Sequence, residues 1–171
     1  MSMYGQNTAQ ERADIQSAVI GPHMEGGISV KEIKVEATIE NLAKVFTFLQ
    51  ESLDKCDMPS KVKRQIKLCV EEVYMNITHY AYNPEVGPAK IGVDVVGGDA
   101  QSRVIISFAD EGKPYDPLKR EDPNLELNLE ERPIGGLGIY LVKTTMDNVA
   151  YEHKDGQNVL TIEKDFEKKN S

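Results

Sequence analysis

Cysteine is scarce: the chain has two in 171 residues, Cys56 and Cys69. One pair cannot build a multi-bridge framework, and no C-x-x-C spacing offers half a zinc site, so both are expected as reduced thiols. Long apolar runs are missing too. No stretch approaches the roughly 18 consecutive apolar residues of a membrane span. No basic-then-apolar leader pattern is seen either, so a cytoplasmic protein without a membrane partner is expected. Positive charge is in deficit, with 20 Lys and Arg against 28 Asp and Glu and a net charge of −8. Without a basic stripe to neutralise phosphates, nucleic acid is an unsuitable partner. Internal repeats are absent.

What is present has an ordinary globular balance, 40% hydrophobic and 28% charged, at a length suited to one domain. Residues 1–23 differ from the rest, being rich in Gln, Ser, Ala and Gly without apolar periodicity. Gly21-Pro-His-Met24 resembles the scar of a cleavage site, so residues 1–23 are read as a disordered leader or expression tag and 24–171 as a single domain. Alternation at Val30, Ile33, Val35 and Ala37 predicts an edge strand. Thr38 is the expected N-cap of a helix buried through Ile39, Leu42, Phe46, Leu49 and Leu53. Pro59 and Ser60 open a second helix predicted to run to about Tyr82, with its stripe at Ile66, Val70, Val73, Ile77 and Ala81. Two strands, 89–96 and 103–109, flank a Gly97-Gly-Asp99 hairpin signal, with Val104, Ile106 and Phe108 on one side. A long polar connection follows over 110–134. Within it Leu125, Leu127 and Leu129 fit either a short helix or a strand. A helix burying Ile139, Val142 and Met146 and a last hairpin turning at Asp155-Gly156 complete the order β-α-α-β-β-α-β-β. This pattern predicts an α+β fold, a two-layer sandwich with a mostly antiparallel sheet and helices on one face.

Three segments carry candidate chemistry. Glu72 and Asn76 are four apart on the second helix, so they share a face rotated from its buried stripe. A carboxylate there can take a proton, and an amide oxygen can reach a hard cation. Asp110 ends a strand just before Gly112, where it can accept a hydrogen bond from a ligand amine while the glycine lets the backbone come close. Gly135-Gly-Leu-Gly138 opens a helix whose exposed N–H groups favour an anion. It is neither a P-loop nor a dinucleotide fingerprint, because Leu141 stands where the latter needs a third glycine. A helix dipole of roughly 0.3–1 kcal/mol cannot hold a triphosphate alone, so a metal and a lysine or arginine must help.

Together, Glu72-x-x-x-Asn76, Asp110-x-Gly112 and Gly136-x-Gly138 resemble the N, G1 and G2 boxes of the Bergerat-type (GHKL) ATPase fold. Asp-Glu-Gly-Lys-Pro-Tyr-Asp-Pro117 and Gly-Leu-Gly-Ile-Tyr-Leu-Val-Lys-Thr-Thr-Met-Asp147 look like its small branch of anti-sigma-factor serine kinases. The resemblance spans roughly residues 29–166. It implies Mg²⁺ and ATP as cofactors, a sigma factor and an anti-sigma-factor antagonist as partners, and a homodimer. By the same resemblance Glu72 is the general base, Asn76 the Mg²⁺ ligand and Asp110 the acceptor from the adenine amino group. Gly112 would pack on the base, Gly135, Gly136, Leu137 and Gly138 would bound the phosphates, and Thr161 would support the adenine. Residues 115–134 would form the lid, with Arg132 as a γ-phosphate contact. The implied function is a serine/threonine protein kinase in a partner-switching system; the alternative is a nucleotide-binding module without phosphotransfer. Two departures bear on this. Tyr80 stands where the branch carries histidine and His79 comes one residue early, so His79 is expected packed or exposed. The lid is also acidic (Glu121, Asp122, Glu126, Glu130, Glu131), and its carboxylates are expected to face solvent or a partner. Lys113 and Lys143 are open between ligand and water.

Overall fold

The computed structural model describes residues 30–98, 101–124 and 136–168. Five strands form one antiparallel sheet: β1 (Lys31–Glu36), β2 (Pro88–Gly97), β3 (Gln101–Asp110), β4 (Asn148–Lys154) and β5 (Gln157–Glu167), in the order β1-β2-β3-β5-β4. Helices α1 (Leu42–Leu53), α2 (Ser60–Asn76) and α3 (Leu137–Thr145) cover one face. The α+β sandwich is as the hydrophobic periods dictate. The leader at 1–23 and Leu125, Leu127 and Leu129 lie outside the described residues.

Strand register explains which face is buried. Ile33, Ile91, Phe108, Leu160 and Tyr151 stand side by side across all five strands. Period-two alternation puts Val104, Ile106 and Ile162 on the same face, where each is fully buried with Ile66, Val70 and Val73 of α2. Fully burying such a side chain contributes about 1.5–3 kcal/mol. Across the opposite face the central row is Gly92, Ser107, Thr161 and Ala150, all small. At the β4–β5 turn Asp155 (φ 53°) and Gly156 (φ 79°) both adopt left-handed backbone, which Asp and Gly tolerate best.

Two helical expectations need correction. Ile39 is 56% exposed, because residues 39–41 form a tight 3₁₀ turn before α1. That turn rotates the buried stripe onto Val45, Phe48, Leu49 and Leu53. Thr38 precedes the turn but makes no side-chain cap bond. The second helix is α-helical only to Asn76, and Ile77–Ala81 form a wider π-helical turn. Such turns recur at functional sites because they redirect the side chains that follow.

Tyr74 links α2 to the sheet edge. Its ring is wholly buried, and its hydroxyl lies 3.1 Å from the Glu36 carbonyl and 2.8 Å from that of Thr38. Tyr74→Phe keeps the ring and removes only the hydroxyl. It is expected to lower unfolding free energy by about 1 kcal/mol, measured by urea denaturation.

Candidate functional site

A cavity of about 840 Å³ opens between the C-terminal end of α2, the N-terminal end of α3 and the adjoining ends of β3 and β5. Glu72, Asn76, Asp110, Gly136 and Gly138 all line it. The three motifs, far apart in sequence, therefore face one space. Phe108, Leu160, Ile77 and Ile139 supply apolar wall, while Lys113, Tyr115 and Arg120 stand on the other side.

Asp110 occupies the sheet row just beyond the apolar one, beside Ala89 and Asn158. It is 7% exposed, and its Oδ1 accepts bonds from the Gly112 amide and from Asn158 Nδ2, both at 2.9 Å. No described residue bonds Oδ2, which leaves it able to accept from a ligand in the cavity. Asn158 is the hub of this end. Its amide nitrogen also donates to the Lys113 carbonyl (3.1 Å), and its Oδ1 accepts from the Tyr151 hydroxyl (2.7 Å) and more weakly from the Tyr115 amide (3.4 Å). Burial pushes the Tyr151 phenol upward, so it stays a neutral donor at physiological pH.

The loop after β3 is clamped to the end of α2. The Lys113 amide donates to the Ala81 carbonyl at 2.9 Å, and a Cβ on Gly112 would run into that same carbonyl. Gly112 is thus required by close approach. Tyr82 closes the clamp: its hydroxyl accepts from the Glu111 amide at 2.7 Å and donates to the Pro88 carbonyl at 2.6 Å. Burial raises its pKa, which preserves the donated proton.

Gly136 and Gly138 shape the opposite wall. Gly136 precedes α3 with φ 91°, a left-handed conformation that favours glycine. A Cβ there would lie 3.0 Å from Arg120 Nε, so this arginine flanks the helix start. At Gly138 a Cβ would overlap the Glu72 carboxylate, so α3 begins directly against that side chain. Glu72 is thereby placed where backbone amides favour negative charge in a ligand.

Other expected residues fall elsewhere. Thr161 is not at the cavity. It pairs with Ser107 and Ala150 on the opposite face of the sheet, because it sits between inward-facing Leu160 and Ile162. Asn158 fills the inward position beside Asp110 instead. Leu137 is 52% exposed and absent from the cavity wall, while Gly135 and Arg132 lie outside the described residues. His79 is exposed at the rim, edge-on to the Tyr80 ring. Lys143 is absent from the cavity wall and pairs with Asp122, whereas Lys113 lines the cavity with its Nζ donating to the Asn83 carbonyl at 3.1 Å. Sequence reasoning missed Asn158, Tyr151, Tyr82 and Arg120. Alternation back from Ile162 marks Asn158 as inward-facing, but only the β3–β5 register sets it against Asp110.

The donor set suits Mg²⁺ held jointly with phosphates better than a protein cage. Among the described residues no group of three His, Cys, Asp or Glu side chains converges. Mg²⁺ commonly takes one or two protein oxygens and completes its shell with waters and phosphate. Asn76 Oδ1 and the neighbouring Glu72 fit that requirement.

An antiparallel sheet with three helices on one face, and a cavity between α2, α3 and the strand ends, define an ATPase sandwich of the GHKL class. The chain belongs to the histidine kinase-like ATPase domain family, whose sequence profile matches residues 35–164. It is 29% identical over 133 residues to the serine-protein kinase RsbW of Bacillus cereus, covering 75% of this chain and 81% of that one. The serine-protein kinase RsbW of Bacillus thuringiensis matches to the same extent. An ATPase family implies ATP as the ligand.

Two outcomes follow from the geometry. Asn158→Ala withdraws one of the two donors to a buried carboxylate and frees the 111–115 loop. Stability should fall by about 1–3 kcal/mol, with faster hydrogen exchange at the Gly112 and Tyr115 amides than elsewhere in the sheet. Cys69 is fully buried behind Glu72, and burial pushes its thiol to about 11. At pH 8 about one molecule in a thousand would carry the thiolate, so a thiol reagent should label Cys69 only on unfolding.

Proposed function

We propose that the protein is an ATP-binding anti-sigma regulatory factor that acts as a serine/threonine protein kinase. Its substrate in this reading is an anti-sigma-factor antagonist, and its other partner is a sigma factor. Support comes from the similarity to serine-protein kinases and from the residues facing the cavity. The observation that carries the reading is the contact of Glu72 with the glycine start of α3. It sets a proton acceptor beside the cavity wall best suited to phosphate.

In this reading Asp110 Oδ2 accepts from the adenine amino group, and Asn158 holds the carboxylate in that orientation. Phe108 and Leu160 give the base an apolar wall, and Gly112 keeps the adjoining loop close enough to shape it. Amides at the start of α3 face the phosphates, with Gly136 and Gly138 leaving room for them. Arg120 supplies positive charge on that side, and Arg132 is the proposed γ-phosphate contact from the lid. Asn76 would hold Mg²⁺, which when bound neutralises phosphate charge. Glu72 removes the proton from the substrate serine hydroxyl as its oxygen attacks the γ-phosphorus. The bond from that phosphorus to the bridging oxygen breaks, and ADP departs with the electron pair. The dimer and the cytoplasmic location belong to this proposal; among the described residues no helix is long and apolar enough to cross a membrane.

Glu72→Gln tests the assignment because it keeps the side-chain shape and removes the base. Calorimetry should find Mg-ATP affinity within a few-fold of wild type, while transfer of labelled phosphate to an antagonist falls by about 10²–10⁴-fold. Undiminished phosphoserine formation by the variant would remove Glu72 from the mechanism. Wild-type protein that binds ATP without phosphorylating any antagonist would make the chain a nucleotide-binding module.

A further inference from the structure

The first turns of α2 oppose an electrostatic preference. Residues 60–70 contain Lys61, Lys63, Arg64 and Lys67 and no acidic residue, in a chain of net charge −8. The positive end of a helix dipole disfavours cations, and Lys61 stands in the first turn, where an acidic side chain would be favoured. Lys63 pairs with Asp54 at 2.9 Å, and the Lys67 ammonium lies 4.5 Å from the centre of the Phe46 ring. Neither Lys61 nor Arg64 has a carboxylate partner among the described residues. Lys63, Arg64 and Lys67 border a groove of about 190 Å³ between α1 and α2, and Lys61 lies one helical turn before Arg64. Phe46, Leu49 and Leu53 give it apolar wall; Lys63, Arg64 and Lys67 give it a basic edge, of which Asp54, also in the lining, neutralises Lys63 and leaves Arg64 and Lys67 in excess. The groove shares no lining residue with the large cavity, so its role stands apart from the kinase reading.

We propose that this groove docks an acidic amphipathic segment of a partner protein. One apolar side chain of the partner enters onto Phe46 and Leu49 while its flanking carboxylates meet Lys61, Arg64 and Lys67. Charge complementarity selects the occupant: this is a basic stretch on an acidic chain, and an acidic partner would be repelled from most of the remaining surface. The apolar wall and the overall negative charge favour a peptide over a polynucleotide. Cations kept against the dipole are accounted for when a bound partner supplies the missing anions.

The test uses fluorescein-labelled helical peptides with one central leucine, graded from glutamine to glutamate on the flanking positions. Fluorescence anisotropy against the full chain should show affinity rising with each glutamate, roughly tenfold across the series. Added salt should weaken it, and the Lys61→Glu/Arg64→Glu double variant should abolish it. Equal binding of glutamine and glutamate peptides, no binding of any peptide, or tighter binding of a duplex oligonucleotide would each overturn the proposal. A partner-independent measurement accompanies this. Because acids suit the start of a helix, the double variant should melt higher than wild type, by roughly 2–4 °C. A lower melting temperature would mean that the cations serve the fold, and the docking role would fall.

Discussion

Asp110 is a carboxylate withdrawn from water at the end of a central strand, and the arrangement of the site follows from how it is held. An isolated buried charge is too costly to keep unless it is hydrogen-bonded. Asn158 meets this need from the adjacent strand, using the same side chain to hold the Lys113 carbonyl and to accept from Tyr151. One amide therefore ties β3, β4, β5 and the following loop together. The two functions of this network are inseparable. Satisfying Oδ1 from within the protein leaves Oδ2 without a partner among the described residues and able to accept from a ligand.

The other wall depends on helix ends. Beyond Asn76 the π-helical turn sets His79 and Tyr80 at the exposed rim of the cavity while Ala81 stays close enough to receive the Lys113 amide. Glu72, one α-helical turn before Asn76, projects to the start of α3. Helix α2 thus touches both the loop that frames Asp110 and the helix start that frames the opposite side. A shift of α2 along its axis would alter both ends of the cavity together, and Tyr74 opposes such a shift by anchoring the helix's last turn to residues 36 and 38.

Much of this was legible locally. Alternation through Val104, Ile106 and Phe108 and the stripe from Ile66 to Ile77 depend on one element's own period, and each identified its buried face. Ile39 departs from its helical period because a single 3₁₀ turn shifts angular phase, and periodicity cannot show where a helix tightens. Resemblance alone assigns Thr161 to the ligand, whereas the alternation of Leu160 and Ile162 sets its side chain on the opposite face of the sheet. Asn158 escaped notice because its importance is a matter of register between strands far apart in sequence. Arg120 lies in a connection without periodicity, so only the path of the chain brings it beside Gly136.

An acidic chain that accepts a polyanion raises a question of range. At physiological ionic strength exposed charges are screened over about 8 Å, so most of the surface carboxylates have little influence inside the cavity. Within about 4 Å, a unit charge pair contributes roughly 1 kcal/mol in water but about 4 kcal/mol at the effective dielectric of a protein surface. The groups lining the cavity therefore outweigh the net charge at this range, among them Arg120, Lys113 and the glycine start of α3. Asp122 reinforces this balance by pairing with Lys143, neither of which lines the cavity. Net charge governs which macromolecules approach the protein, whereas side chains within a few ångströms govern what it holds.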